Sequence, residues 1–214
     1  MTDNLVREQL IAHSWQRCKA AGLTHDSQPD IQRSSVGEMS AALDKNQTLL
    51  QTTQDKVLPY YDNLLANSNC LVMLSDNQGQ VLNTWNKQRA NLKAHNNMFT
   101  NGVNWQESLV GTNAIGTAIE TGSIIQINHN EHYLLANRFM TGAAAPIFDT
   151  EDRMLGVIDV SSDTYMPQAH TVGMVKLMSL AVSNQIILAN YQPHYFSLWF
   201  NTSPENLNSK WSSL

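Results

Sequence analysis

Cysteine and charge are both scarce in this chain of 214 residues. Its two cysteines, Cys18 and Cys70, are too few for a disulfide scaffold, a four-thiolate zinc site or an iron–sulfur cluster. Charged residues make up 14% of the chain, against about 25% in typical domains, and the net charge is −5. This balance argues against a surface that binds duplex DNA, because phosphate contacts need clustered Lys and Arg.

Long hydrophobic runs are also missing. No stretch approaches the roughly 20 apolar residues of a membrane span, and the amide-rich N-terminus lacks the features of a signal peptide. We therefore expect a cytoplasmic protein without a membrane segment. Hydrophobic residues still make up 42% of the chain, which predicts one or two folded domains with a buried core.

Motifs for catalysis and metal binding are absent as well. The sequence has no Gly-x-Ser-x-Gly elbow, no His-Glu-x-x-His pair and no phosphate-binding loop. His129 and His132 stand three residues apart, but the spacing indicates no third ligand. We expect no enzyme activity, no metal and no cofactor. A redox enzyme that uses Cys18 or Cys70 is the remaining, weak alternative.

Helical periodicity dominates both ends of the chain. Leu10, Ile11, Trp15 and Cys18 predict an N-terminal helix, and residues 167–190 predict a long helix that is apolar on more than one face. Between them, four apolar residues recur every seven positions: Leu43, Leu50, Val57 and Leu64. Pro59 predicts two helices there, or one bent helix. The heptad spacing and the long C-terminal helix favour a homodimer; the alternative is that the heptad residues cover the sheet of their own domain.

The middle of the chain alternates between strand and turn signals. Residues 70–75 and 80–85 predict a hairpin around Gly79, and further strands are predicted at 123–128, 141–148 and 154–161. Between residues 102 and 122, Thr112 or Asn113 is expected to cap a helix that ends at Gly122. Gly116 inside that helix indicates close packing against the sheet or a ligand.

Several side chains around this helix suit a small-molecule pocket. Such a pocket has apolar walls and a few polar groups that orient the ligand. The expected walls are Trp85, Trp105, Met73 and Tyr133, and the expected polar groups are Glu107, Asn113, Thr117 and His132. The alternative is that these residues are ordinary core residues, helix caps and loop residues that leave no cavity.

Four segments, in order along the chain, carry a family resemblance. They are Ser14-Trp-x-Arg-Cys18 with Gly22-Leu23, Leu74-Ser-Asp-x-x-Gly79, Trp105-x-Glu-x-x-x-Gly-Thr-Asn-Ala-Ile-Gly-Thr-Ala118, and Ala143-Ala-Ala-Pro-Ile147 with Leu155-Gly-Val-Ile-Asp-Val-Ser161. Together they resemble the sensory region of bacterial enhancer-binding transcription activators of the acetoin-regulator type, related to dihydroxyacetone-operon regulators. The resemblance implies an α+β fold, a GAF domain with a central antiparallel β-sheet and flanking N- and C-terminal helices.

The resemblance also implies a domain plan and partners. Residues 1–36 would be an N-terminal helical extension, 37–192 the GAF sensory domain and 193–214 a connector toward a PAS-like domain. The effector would be a small molecule such as acetoin or a similar hydroxyketone; a protein such as a kinase subunit is the alternative signal. DNA and sigma-54 RNA polymerase would be contacted only through an ATPase and DNA-binding module outside this chain.

The sequence departs from the family pattern at Gly142-Ala143. Relatives often carry Cys followed by Ser or Thr before the Ala-Ala-Pro-Ile stretch. Thiol-dependent sensing at this position is therefore not expected, and the missing side chain at Gly142 is expected to enlarge the floor of the pocket.

Overall fold

The computed structural model describes residues 2–66, 68–86, 97–163 and 167–191; the predicted connector at 193–214 lies outside the described residues. The α-helices are α1 (Thr2–Ala20), α2 (Val36–Lys45), α3 (Gln47–Gln51), α4 (Asp62–Ala66), α5 (Glu107–Val110), α6 (Ala114–Thr121) and α7 (Gln168–Tyr191). The strands are β1 (Leu71–Asp76), β2 (Val81–Trp85), β3 (Ile125–Asn128), β4 (Thr141–Phe148) and β5 (Met154–Ser162).

The five strands form one antiparallel sheet in the order β2-β1-β5-β4-β3. The predicted hairpin of β1 and β2 is confirmed, and so are the strands that correspond to β3, β4 and β5. The α+β architecture expected from the resemblance is confirmed. β5 lies in the centre of the sheet, so its residues are covered by β1 and β4 at its edges and by helices on both faces.

Both faces of the sheet are buried, because alternate residues of each strand enter different cores. Met73, Ile127 and Val157 pack on one face with Trp105, α6 and Ile11 of α1. Leu74, Ile158 and Val160 pack on the other face with Val175 and Met178 of α7. We call these the α6 face and the α7 face. α1 therefore contributes directly to a core of the sheet domain.

The segment from α2 to α4 is more broken than the heptad spacing predicts. After α3, a π-turn (Thr52–Val57) and a 3₁₀ turn (Leu58–Tyr60) interrupt the helix, with Pro59 inside the second. Val57 is buried in the core of the α7 face, and Leu43 and Leu50 pack against it; the side chain of Leu64 is outside the described part. Those three heptad residues thus cover their own sheet, as the alternative interpretation had it.

Helix α6 begins and ends where the sequence predicts. Asn113 is the N-cap, and its side-chain oxygen accepts a hydrogen bond from the Gly116 backbone N–H at 2.7 Å. Gly122 ends the helix in the left-handed conformation with φ of 60°. A β-carbon at Gly116 would lie 2.7 Å from the Trp105 carbonyl oxygen, so the predicted close packing is against the Trp105 segment.

Helix α7 corrects the expectation that no stretch of the chain approaches a membrane span in length and hydrophobicity. Within the described residues, Ala169–Asn190 is long and apolar enough to cross a membrane, with a mean hydropathy of 1.5. Core helices of globular domains also meet this criterion, and Val175, Met178, Val182 and Ile186 do pack against the sheet. On the outer side of the same helix, Leu177 and Leu180 are 47% and 49% exposed.

Candidate functional site

A small cavity lies on the α6 face of the sheet, in the region where the pocket is predicted. Its volume is about 10 Å³, which is room for about one water molecule. Four of the predicted pocket residues line it: Met73, Trp105, Asn113 and His132. Six further residues complete the lining: Ala114, Ile115, Met140, Gly142, Asp159 and Ser161. The cavity is therefore closed to any ligand larger than water in this conformation.

Asp159 is the most unusual residue of the lining. It lies in the middle of β5, opposite Met73 of β1 and Ala144 of β4, and is 1% exposed. Burial raises the pKa of this carboxyl group to about 7, although a hydrogen bond from Ser161 Oγ to Oδ2 at 2.7 Å opposes the shift. Asp159 is thus substantially protonated at neutral pH. Sequence reasoning did not single it out.

His132 is the second buried titratable group of the lining. The ring is held by a hydrogen bond between Nδ1 and the His129 carbonyl oxygen at 3.1 Å, and the residue is 1% exposed. Burial lowers the pKa of His132 to about 4, so the imidazole is neutral at physiological pH. Because a carbonyl oxygen only accepts, Nδ1 carries the hydrogen and Nε2 is an acceptor.

Asn113 and Trp105 form one rigid wall. The Asn113 amide donates to the backbone oxygens of Trp105 and Gly111 at 2.9 and 2.8 Å while it caps α6. The Trp105 indole N–H donates to the Met98 carbonyl oxygen at 3.1 Å, and its ring stacks on Phe99. Asn113 uses its polar atoms for these structural bonds, so its role is to position Trp105 and the start of α6.

Glu107 and Thr117, two of the predicted polar groups, lie near the cavity but are absent from its lining. The Glu107 carboxylate accepts two hydrogen bonds from Arg17 of α1, at 2.6 and 3.0 Å, and a third from Thr117 Oγ1 at 2.6 Å. Glu107 is 4% exposed. Ser14 of α1 adds a hydrogen bond to Thr112 at 2.7 Å. These residues therefore attach α1 to α5 and α6.

Trp85 and Tyr133, the remaining two predicted pocket residues, do not line the cavity. Trp85 packs against the core of the α7 face, at a surface groove with Leu58 and Pro59. The Tyr133 hydroxyl donates to the Leu23 carbonyl oxygen, and its ring contacts His25 and Trp15. The depression beside these three rings is larger, about 620 Å³, but it is open to solvent. The enclosed cavity is the better candidate site because its polar groups are fully buried.

The two cysteines do not have the exposed, reactive thiolates of a redox pair. Cys18 is buried in α1 and Cys70 is partly buried beside β1, and neither forms a disulfide. Burial raises the pKa of both thiols, which disfavours the reactive thiolate. Over the described ranges, no group of three or more His, Cys, Asp or Glu residues is arranged to hold a metal ion.

Comparison with known families places the fold. The GAF domain family matches residues 46–189, about two thirds of the chain. The chain belongs to the GAF domain family. The match includes all five strands of the described residues and all the cavity residues, whereas α1 precedes it and contacts residues within it, such as Glu107 and Thr112.

Two curated relatives of this chain are regulatory proteins. The chain is 30% identical over 179 residues to the acetoin dehydrogenase operon transcriptional activator AcoR of Bacillus subtilis, an alignment that covers 82% of this chain and 29% of AcoR. It is 26% identical over 220 residues to the acetoin catabolism regulatory protein of Cupriavidus necator, covering 96% and 31% of the two chains. The chain thus spans about 30% of the length of these relatives.

A solved structure agrees with the fold assignment. A chain of the E. coli DhaR(N)–DhaL complex superimposes with a TM-score of 0.78 at 19% identity, covering 86% of this chain and 64% of that chain. The family and the relatives identify a sensory, regulatory domain of transcription regulators, not an enzyme. The expected family and fold are therefore confirmed.

Proposed function

We propose that this GAF domain senses a small metabolite, acetoin or a similar short hydroxyketone, for a bacterial transcription activator. In this proposal, residues 37–192 are the sensory domain, residues 1–36 are its helical extension, and 193–214 lead to further domains. The signal controls an ATPase and DNA-binding module that acts with sigma-54 RNA polymerase in the cytoplasm. Two regulators with acetoin in their names are among its relatives, and they support this choice of effector.

The observation that carries the proposal is the composition of the cavity. Met73, Trp105 and Met140 provide apolar walls, and Asp159, Ser161 and His132 provide buried polar groups. A few convergent polar groups in an apolar enclosure are typical of small-molecule sites. The polar atoms are held in fixed strands and turns, which suits recognition of a ligand with few functional groups.

Ligand entry requires the cavity to expand. A hydroxyketone with six heavy atoms needs far more room than the present 10 Å³. Met73 and Met140 are the adaptable walls, because the unbranched methionine side chain changes rotamer easily. We propose that these two side chains move aside on binding, so that the effector selects a minor, open conformation.

Isothermal titration with acetoin tests this function. Gly142→Ala places a β-carbon 2.8 Å from Ser161 Oγ and 3.3 Å from Ala114 Cβ, and is expected to weaken binding at least about tenfold. Gly173→Ala is the matched control, because a β-carbon there meets nothing within 4 Å. If wild-type protein binds neither acetoin nor related four-carbon alcohols and ketones at millimolar concentration, the proposal is wrong.

A protein signal is the second candidate function. The structurally similar DhaR(N) was solved in complex with DhaL, and its fold matches closely. In that case α1, which Arg17 and Ser14 attach to the cavity side, would offer a surface to a kinase-type subunit. Size-exclusion chromatography with a purified DhaL-like subunit, with and without acetoin, separates the two: a stable complex without metabolite binding favours the protein signal.

Homodimerisation is part of the proposal. Three heptad residues cover their own sheet, so they do not support a dimer. The support comes from the outer side of α7, where Leu177 and Leu180 are about half exposed. Light scattering is expected to show a dimer at micromolar concentration, and Leu177→Lys with Leu180→Lys is expected to give a monomer. Leu5, which is 61% exposed on α1, supplies the control substitution Leu5→Lys. A monomeric wild type would contradict the dimer without affecting ligand binding.

A further inference from the structure

Two polar atoms of the cavity lining have no hydrogen bond to any residue that the structure describes. Asp159 Oδ2 accepts from Ser161, whereas Oδ1 has no partner among the described residues. His132 Nδ1 is bonded to the His129 carbonyl oxygen, whereas Nε2 has none within the same part of the chain. Both residues are 1% exposed. Both residues line the cavity, so a molecule that occupied it would meet an open hydrogen-bonding position on each of them.

The surroundings of Asp159 determine where its proton lies. Oδ2 already accepts the Ser161 hydroxyl hydrogen, which leaves Oδ1 as the protonated oxygen of the neutral acid. Oδ1 faces Gly142, because a β-carbon on that glycine would lie 3.2 Å from it. Gly142 itself lines the cavity. The acid O–H therefore lies beside Gly142 in the lining of the cavity.

We infer that Asp159 and His132 are the ligand-recognising pair of this site: the Asp159 carboxylic acid donates to a ligand carbonyl, and His132 Nε2 accepts from an adjacent ligand hydroxyl. This inference rests on the proposed function and specifies its chemistry. The site selects an uncharged ligand with neighbouring donor and acceptor oxygens. An anionic ligand is disfavoured, because its charge would face a buried carboxyl group.

Few other charged groups influence this pair. Among the described residues, His129 and Arg138 lie beside His132, and both disfavour its cationic form. The Cys70 thiol packs on the α7 face of the sheet, and burial raises its pKa, so it is uncharged at neutral pH. On α5, Glu107 is occupied by Arg17. Ala114 of α6 and Met73 of β1 contribute no charge, so Asp159 is the cavity group that changes protonation near neutral pH.

The pH dependence of acetoin affinity tests the inference. The pKa of Asp159 is about 7, so the donating acid is lost as the pH rises. Between pH 6.0 and 8.5 the affinity of the wild type is expected to fall about 30-fold, the ratio of the protonated fractions. In Asp159→Asn the amide donates at both pH values, so the ratio of the acetoin affinities at pH 6.0 and pH 8.5 is expected to be near one. Asp44→Asn, at an exposed position of α2, is expected to keep the wild-type ratio.

Ligand analogues test the role of His132. 2,3-Butanedione lacks the hydroxyl that His132 Nε2 would accept from, and is expected to bind the wild type about tenfold or more weakly than acetoin. His132→Phe removes the acceptor, so the preference for acetoin over the dione is expected to disappear. An unchanged preference in that variant would overturn the assignment of His132.

The outcomes separate this inference from the function on which it rests. Acetoin binding with a flat pH profile, or an equal pH ratio in wild type and Asp159→Asn, overturns the inference and leaves the proposed function standing. Affinity that rises with pH also overturns it. No acetoin binding at either pH overturns both. Carbon-13 NMR titration of the Asp159 carboxyl in wild type provides a check that needs no variant: acetoin is expected to raise its titration midpoint, and an unchanged midpoint contradicts the inference.

Discussion

Asp159→Asn is expected to stabilise the unliganded protein at neutral and alkaline pH. The Asp159 pKa of about 7 compares with an ordinary value of 3.8. Between those values the folded chain holds a proton that the unfolded chain has released, so stability falls as the pH rises. At 1.36 kcal/mol per pKa unit, the loss reaches about 4 kcal/mol above pH 7. Asparagine keeps an oxygen for the Ser161 hydrogen bond and has no charge to bury.

His132 changes the stability with pH in the opposite direction to Asp159. Its pKa is about 4 in the folded protein, against an ordinary value of 6.5. Between those values the unfolded chain binds a proton that the folded chain does not, so stability falls as the pH falls. The two contributions offset each other over most of the range from pH 4 to 6.5. The pH dependence of the wild-type free energy of unfolding therefore does not isolate the contribution of Asp159. The difference between wild type and Asp159→Asn does.

Urea denaturation at pH 5 and pH 8, followed by tryptophan fluorescence, measures the effect. The free energy of unfolding of Asp159→Asn minus that of wild type is expected to increase by about 2.7 kcal/mol between these pH values. Any pH-independent cost of the amide cancels in this difference. Asp44→Asn is expected to show a change below about 0.5 kcal/mol. An equal difference at both pH values would refute the conclusion that a neutral carboxyl group is buried at this position.

Two further predictions concern the packing around the site. Arg17→Ala leaves the buried Glu107 carboxylate without its charged partner and is expected to destabilise the fold by about 2 kcal/mol in urea denaturation; a loss below about 0.5 kcal/mol would show that α1 is not held by this pair. Gly156→Ala would place a β-carbon 2.2 Å from the Ser75 carbonyl oxygen and is expected to cost about 3 kcal/mol or more. Gly37→Ala, where a β-carbon meets nothing, is expected to be neutral or slightly stabilising, and equal melting temperatures for the two glycine variants would contradict the packing argument.

Local signals account for the elements that sequence reasoning placed correctly. Asn113 and Gly122 mark the two ends of α6 because a cap and a left-handed residue act within one turn of the helix. The segment from 36 to 66 shows the limit of such signals. A seven-residue spacing records which residues are apolar, but not whether a partner chain or the chain's own sheet covers them. Here Val57 packs under the sheet, and the helix breaks at the π-turn and at Pro59.

The cavity lies in the region where the pocket is predicted, but four of the predicted residues are absent from its lining, for the same kind of reason. Glu107 and Thr117 are polar and close to the cavity, but α1 brings Arg17 to Glu107 from 90 residues away in sequence, and Thr117 donates to the same carboxylate. That pairing is a tertiary contact that no local pattern predicts. Trp85 lies on the opposite face because it belongs to β2, whose pairing with β1 determines its orientation.

The sequence did contain one indication of the site, the acidic residue Asp159 in a mostly apolar strand. The alternation of β5 places Val157, Asp159 and Ser161 on one face of a strand that is otherwise apolar from Met154 to Val160. A central strand of this kind is buried on both sides, and a carboxyl group there needs either a cation or a proton. The strand contains no basic residue, and the register places Met73 and Ala144 beside Asp159. A lone acid in an apolar central strand therefore predicts a neutral, hydrogen-bonding carboxyl group, and the stability of Asp159→Asn against pH measures whether this chain holds one.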